Sequence, residues 1–187
     1  MKNLTYSLYK LPNTVFSAKE IALILGETEM DLVKSRINYY VKKGELVALR
    51  KGIYSKSDDY NYLELATKIY TPAYISLETV LQAEGVVFQD TDKVQVVSYQ
   101  TREITVDKRI YAYRKIKDEI LINDLGLIKA VGYYIASKER AFLDTVYLYK
   151  DYYFDNLTEM DWKKIREILP IYNSKALEKR VKTYARD

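Results

Sequence analysis

The side chains best suited to chemistry on a polyanion sit in one short run. Lys34, Ser35, Asn38 and Lys42, with Tyr39 beside them, follow at steps of one, three and four residues, which on an α-helix brings them to one side. An asparagine amide both donates and accepts, as an adenine edge in the major groove requires. A serine hydroxyl serves a base or a phosphate, and lysines neutralise phosphates or reach guanine. Further on, Arg50 and Lys51 make a second basic site beside Gly52. Composition excludes much other chemistry: the chain has no cysteine and no histidine, which removes thiol nucleophiles, imidazole bases and Cys/His metal sites. Carboxylates remain. Asp90 with Asp92, or Asp151 with Asp155, are the pairs from which a magnesium-dependent enzyme on nucleic acid would be built. They accompany no phosphate loop or dinucleotide fingerprint, so no catalytic residue, metal or cofactor is expected.

The elements that must position the polar run can be read around it. Ser17 with Glu20 has the form of a capping box, and Ile21, Leu23, Ile24 and Leu25 continue an apolar stripe to Gly26. Thr28 offers a second N-cap. Val33, Ile37, Tyr40 and Val41 then recur at helical spacing until Gly44, with Lys42 and Lys43 at the negative end of the helix dipole. If those apolar residues point inward, Asp31, Ser35, Asn38 and Lys42 point outward, with Lys34 and Tyr39 at the edges. Residues 45–50 read as a strand, Lys51-Gly52 as a turn and Ile53-Tyr54 as a returning strand. Helix, turn, helix and basic hairpin describe a winged helix-turn-helix over residues 1–57, with Arg50 and Lys51 at the tip where they would meet backbone or minor groove. Charge agrees with this division. Residues 1–56 hold ten Lys or Arg against five Asp or Glu, a balance of +5, whereas the whole chain carries +4. The polar run SKSDDYN at 55–61 marks the boundary.

Residues 58–187 read as a mixed α+β domain with a largely antiparallel sheet. Helices are expected over 60–69 and 77–83, strands in VQVVSYQ, REITV, RIYAYRKI and YYIAS, and further helices beginning at Ser137, over 158–169 and over 174–184. Ser76 and Ser137 suit N-caps, Glu139 suits a first turn, and Arg140 with Asp144 forms an i, i+4 pair with a structural role. Basic residues crowd the strands at Arg102, Lys108, Arg109, Arg114, Lys115 and Lys117, and the last helix at Lys175, Lys179, Arg180, Lys182 and Arg186. Of these, Lys175, Lys179 and Lys182 make a stripe able to follow DNA phosphates. The 20 tyrosines are read as amphipathic packing rather than as stacking platforms. No segment approaches the roughly 20 apolar residues of a membrane span, and the first residues lack the apolar core of a signal peptide, so a cytoplasmic protein without membrane contact is expected.

Three stretches, LVALRKGIYS at 46–55, PAYISLETVLQAEGVV at 72–87 and ASKERAFLDTVYL at 136–148, follow the winged helix in an order that resembles the AbiEi antitoxins of type IV, abortive-infection toxin-antitoxin systems. The sequence departs from the family pattern at Glu84, where many relatives carry a histidine before the glycine. The resemblance implies an antitoxin and transcriptional autorepressor. It implies binding to double-stranded DNA at inverted repeats in the chain's own promoter, as a monomer that binds cooperatively there, and countering of a nucleotidyltransferase toxin. The alternatives are a toxin-sequestering module that reads no DNA, and the carboxylate enzyme above.

Overall fold

The computed structural model describes residues 4–89 and 91–185; Asp90 and Arg186, named above, lie outside them. The chain is a mixed α+β protein that divides into two compact units, residues 1–69 with 131–133, and residues 70–130 with 134–187. The division falls beyond the 57/58 boundary suggested by charge. Asp58, Asp59 and Glu64 against Lys68 lower the balance of residues 1–69 to +3.

The first unit begins with α1 (Leu4–Tyr9) and β1 (Val15–Ser17), neither anticipated from sequence, followed by α2 (Ala18–Leu25) and α3 (Met30–Lys42). The hairpin of β2 (Val47–Arg50) and β3 (Ile53–Ser55) follows, then α4 (Tyr62–Ile69). The strands form an antiparallel sheet in the order β1-β3-β2. Both halves of the capping box exist: the Glu20 N–H donates to Ser17 Oγ, and Ser17 N–H donates to Glu20 Oε2 at 2.7 Å. Gly26 (φ 68°) and Gly44 (φ 73°) take the left-handed turns that stop α2 and α3. Thr28 does not cap α3. The N-cap is Glu29, without a side-chain bond, and Glu27 Oε1 instead accepts the N–H groups of Thr28 and Glu29. The core joins Leu4, Leu8, Phe16, Ile21, Val33, Ile37 and Leu46. Leu23, expected there, is 81% exposed, because Ala22 takes the inward position on α2.

Glu64 explains why α4 belongs to this unit. Its buried carboxylate accepts from Asn13 Nδ2 at 3.0 Å and from the Thr14 amide and hydroxyl at 2.8 Å each, while Asn61 Oδ1 caps the start of the helix. Gly132 (φ 83°) lies so close to the Glu64 side chain that any Cβ there would collide with it, and this fastens residues 131–133 to the first unit.

The second unit holds a six-stranded sheet in the order β6-β7-β5-β4-β9-β8. Its strands are β4 (Ala73–Ile75), β5 (Lys93–Ser98), β6 (Arg102–Val106), β7 (Arg109–Lys115), β8 (Leu127–Lys129) and β9 (Tyr134–Ala136). Most of its pairings are antiparallel, but β5 with β7 and β4 with β9 run parallel. After β5 the chain skips one position to lay down β6, then returns through Asp107 and Lys108, both at positive φ, to fill the gap with β7. Residues 94–98 of β5 are all buried, as suits an interior strand. The helices are α5 (Glu78–Ala83), α6 (Asp118–Leu121), α7 (Lys138–Leu148), α8 (Trp162–Ile168) and α9 (Lys175–Tyr184). Helix α7 packs against α5, α8 and α9, and Phe142 on it meets Phe154, Trp162 and Tyr184 at ring separations of 4.9, 5.9 and 5.6 Å. Among the described residues no helix is long and apolar enough to cross a membrane.

Candidate nucleic-acid interface

Helix α3 is held from behind and bare in front. Val33 and Ile37 are fully buried, Tyr40 and Val41 are half-buried, and Asp31, Lys34, Ser35, Asn38, Tyr39 and Lys42 are all exposed. The five side chains singled out from sequence therefore share one solvent-facing surface of a 13-residue helix. Their local engagement differs. Lys34 Nζ pairs with Asp31 at 2.9 Å, across one turn and in full solvent, a contact worth little and readily exchanged for a phosphate. The Tyr39 ring stacks edge-on against Tyr40, with centroids 5.5 Å apart, and lies under the Lys43 ammonium at 4.8 Å. The side chains of Ser35, Asn38 and Lys42 make no hydrogen bond or ion pair among the described residues.

The β2–β3 hairpin supplies the second cluster. Arg50 and Lys51 are exposed at its tip, where Gly52 turns the chain at φ 79°. A bulge between Ala48 and Arg50 shifts the register, and bulges of this kind bend a hairpin and re-aim its end. The Gly52 carbonyl accepts from the Ala18 N–H at 2.9 Å, so the turn is tied to the start of α2. Lys68 Nζ reaches Glu20 at 2.6 Å. Burial raises the Glu20 carboxyl, but Lys68 and Ser17 outweigh that effect and hold it below its ordinary value of 4.5.

Lys175, Lys179 and Lys182 belong to the second unit. All three are exposed on α9, opposite the buried Leu177 and Val181. Arg180 is partly engaged within the unit, donating to the carbonyls of Tyr149 and Ala176, and Arg114 donates to the Tyr149 hydroxyl at 3.0 Å. Compared with models of protein families and with curated proteins, the chain matches none. Of the acids weighed for metal chemistry, Asp92 and Asp151 are exposed, and Asp155 accepts the Phe88 N–H at 2.8 Å. Among the described residues no three acids converge to hold a metal ion.

A polar constellation of which the sequence shows only the Arg140–Asp144 pair is internal. Arg140 and Asp144 are completely buried, with Nε and Oδ1 3.4 Å apart. Asp144 also accepts from the hydroxyls of Ser76 and Tyr172 at 2.7 Å each and of Tyr74 at 3.0 Å. Arg140 donates to the carbonyls of Leu125 and Ile120 and to Tyr74. Burial pushes the Asp144 carboxyl up, opposed by Arg140 and the three hydroxyl donors. Burial likewise drives the Tyr74 and Tyr172 hydroxyls well above their usual range. Ser76 is thus a ligand of Asp144 and not the expected N-cap, a position taken by Leu77 at φ 55°. Ser137 does cap α7, accepting from the Arg140 N–H.

Proposed function

We propose that the first unit is a winged-helix DNA reader, with α3 as recognition helix and the β2–β3 hairpin as wing. On this reading the chain is an antitoxin and autorepressor of a type IV toxin-antitoxin operon that counters a nucleotidyltransferase toxin. The observation that carries the DNA-binding half is the outward face of α3. A rigid apolar back supports a row of donors, acceptors and cations that the protein itself leaves unengaged at Ser35, Asn38 and Lys42. That inventory suits base edges flanked by phosphates. Asn38 is the base reader, Ser35 and Tyr39 flank it, and Lys34 and Lys42 take phosphates. Arg50 and Lys51 at the wing tip add sequence-independent affinity, and the Lys175, Lys179, Lys182 stripe adds further backbone contact. The antitoxin half rests on the resemblance of residues 46–55, 72–87 and 136–148 to the AbiEi pattern. A band-shift assay and footprint on the DNA upstream of the chain's own operon test the first half, with protection of an inverted repeat expected. Growth rescue of cells expressing the adjacent reading frame tests the second. A chain that shifts no upstream DNA while still rescuing growth is a sequestering module instead.

A further inference from the structure

Next to the start of α7 the second unit has a cleft of about 300 Å³, independent of the α3 surface. Its walls include Val80 and Ala83 of α5 and Ile135 of β9, and Glu139 faces it together with Glu84, Lys138 and Lys164. Glu139 is 2% exposed, and its Oε2 has no hydrogen-bond donor. Lys164 Nζ forms an ion pair with it at 3.6 Å, too long for a hydrogen bond, from a side chain that is 55% exposed. Buried carboxylate oxygens are ordinarily matched by donors, as Asp144 and Glu64 of this chain are. The position of Glu139 in the first turn of α7 explains why a negative charge is tolerated there, but supplies no donor to Oε2.

We infer that this cleft is a binding site for an alkylguanidinium cation, whose planar head donates to Glu139 while its methylenes lie against Val80, Ala83 and Ile135. A guanidinium is favoured over an ammonium because it is the more weakly hydrated cation and presents paired donors in a fixed fork to a carboxylate that is already dehydrated. Glu84 at the rim balances Lys138, and Lys164 is the internal competitor that the ligand displaces. The shared chemistry comes from two sources, a free arginine-like metabolite or an arginine side chain of a protein.

Backbone amide spectra of the full chain, titrated with n-butylguanidinium, test the site. Saturable shifts confined to residues 80–84, 135–140 and 164 are expected, with n-butylurea, the neutral isostere, giving none. Glu139→Gln should lower affinity by about tenfold or more, and Lys164→Gln, which leaves Glu139 in place and removes its competitor, should raise it about threefold. The blocked peptide acetyl-Gly-Arg-Gly-amide binding more tightly than n-butylguanidinium assigns the source to a protein, and the reverse order assigns it to a free cation. Absence of saturable shifts in both the wild type and Lys164→Gln, or equal binding of n-butylurea, overturns the site. Should Glu139→Gln disturb the fold, the Lys164→Gln result alone decides, and unchanged or weaker binding by it counts against the proposal.

Discussion

Helices α3 and α7 both carry polar side chains at helical spacing, and the two units treat them in opposite ways. On α7, Arg140 and Asp144 are enclosed, and the surrounding hydroxyls and carbonyls of the same unit serve the pair from several sides. On α3, Ser35, Asn38 and Lys42 face solvent with no partner among the described residues, while Val33 and Ile37 fix the helix from behind. Polar groups satisfied within a fold hold that fold together, since unmaking any one of them strands a charge or a donor in low dielectric. Polar groups held outward by a rigid back remain available to something outside. The two helices thus differ in where their polar groups are served, although the sequence gives both similar spacing.

If the contrast is sound, the largest effect belongs to α7. Asp144→Ala leaves the Arg140 guanidinium buried without its counter-charge and should destabilise the second unit by about 3–5 kcal/mol. Urea unfolding followed by the fluorescence of Trp162, the chain's single tryptophan, reads this directly, because Trp162 lies in that unit. Lys42→Ala on α3 should change stability by no more than about 0.5 kcal/mol. Similar losses for the two would erase the distinction.

The next effect concerns α9, whose exposed lysines are proposed to join α3 in binding DNA. Changing Lys175, Lys179 and Lys182 together to Glu should weaken operator binding by about tenfold or more at moderate salt without altering the preferred sequence. Wild-type affinity in that variant would leave the stripe solvated. A smaller change is expected at the wing. Arg50→Ala and Lys51→Ala should each flatten the salt dependence by about 0.9 in log–log slope and weaken all duplexes alike, and an unaltered slope would remove the hairpin from the interface.

The smallest effect concerns the cap that sets α2. Glu20 titrates below its ordinary value in the folded chain, so its stabilisation is present above about pH 4.5 and fades as pH falls through the lowered value. Glu20→Gln should therefore lower the thermal midpoint at pH 6, and the gap to wild type should close as pH falls through the lowered value. A gap that stays constant as pH is lowered would mean that the carboxylate's charge is not what stabilises the cap.

What was legible in the sequence was local. The Ser17–Glu20 box, the Gly26 and Gly44 stops, the Lys51-Gly52 turn and the outward face of α3 all follow from chemistry within a few residues of each position. Long-range choices were not legible. Helix α1 and strands β1, β4 and β8 span only six, three, three and three residues and are not read from sequence, whereas α5 and β9, equally short, are. The sequence marks the strands β5, β6 and β7 but not their order, in which β7 returns to lie between the other two, because sequence shows hairpins and not skipped positions. Ser76 reads as the N-cap of α5, and only Asp144, distant in sequence, decides that its hydroxyl turns inward instead. Packing accounts for only part of the tyrosine: Tyr74, Tyr111, Tyr113 and Tyr172 are among the largest fully buried side chains, whereas Tyr6, Tyr9, Tyr39 and Tyr153 are exposed.

The central claim is that the outward face of α3 reads sequence. The most direct measurement is the affinity of the full chain and of Asn38→Ala for the duplex upstream of its own operon and for a shuffled duplex of equal length and composition, across a series of salt concentrations. On that reading wild type prefers the upstream duplex, and Asn38→Ala loses about 1–3 kcal/mol on that duplex alone with its salt slope unchanged. Equal affinity of wild type for both duplexes, or an equal loss on both in Asn38→Ala, would contradict it.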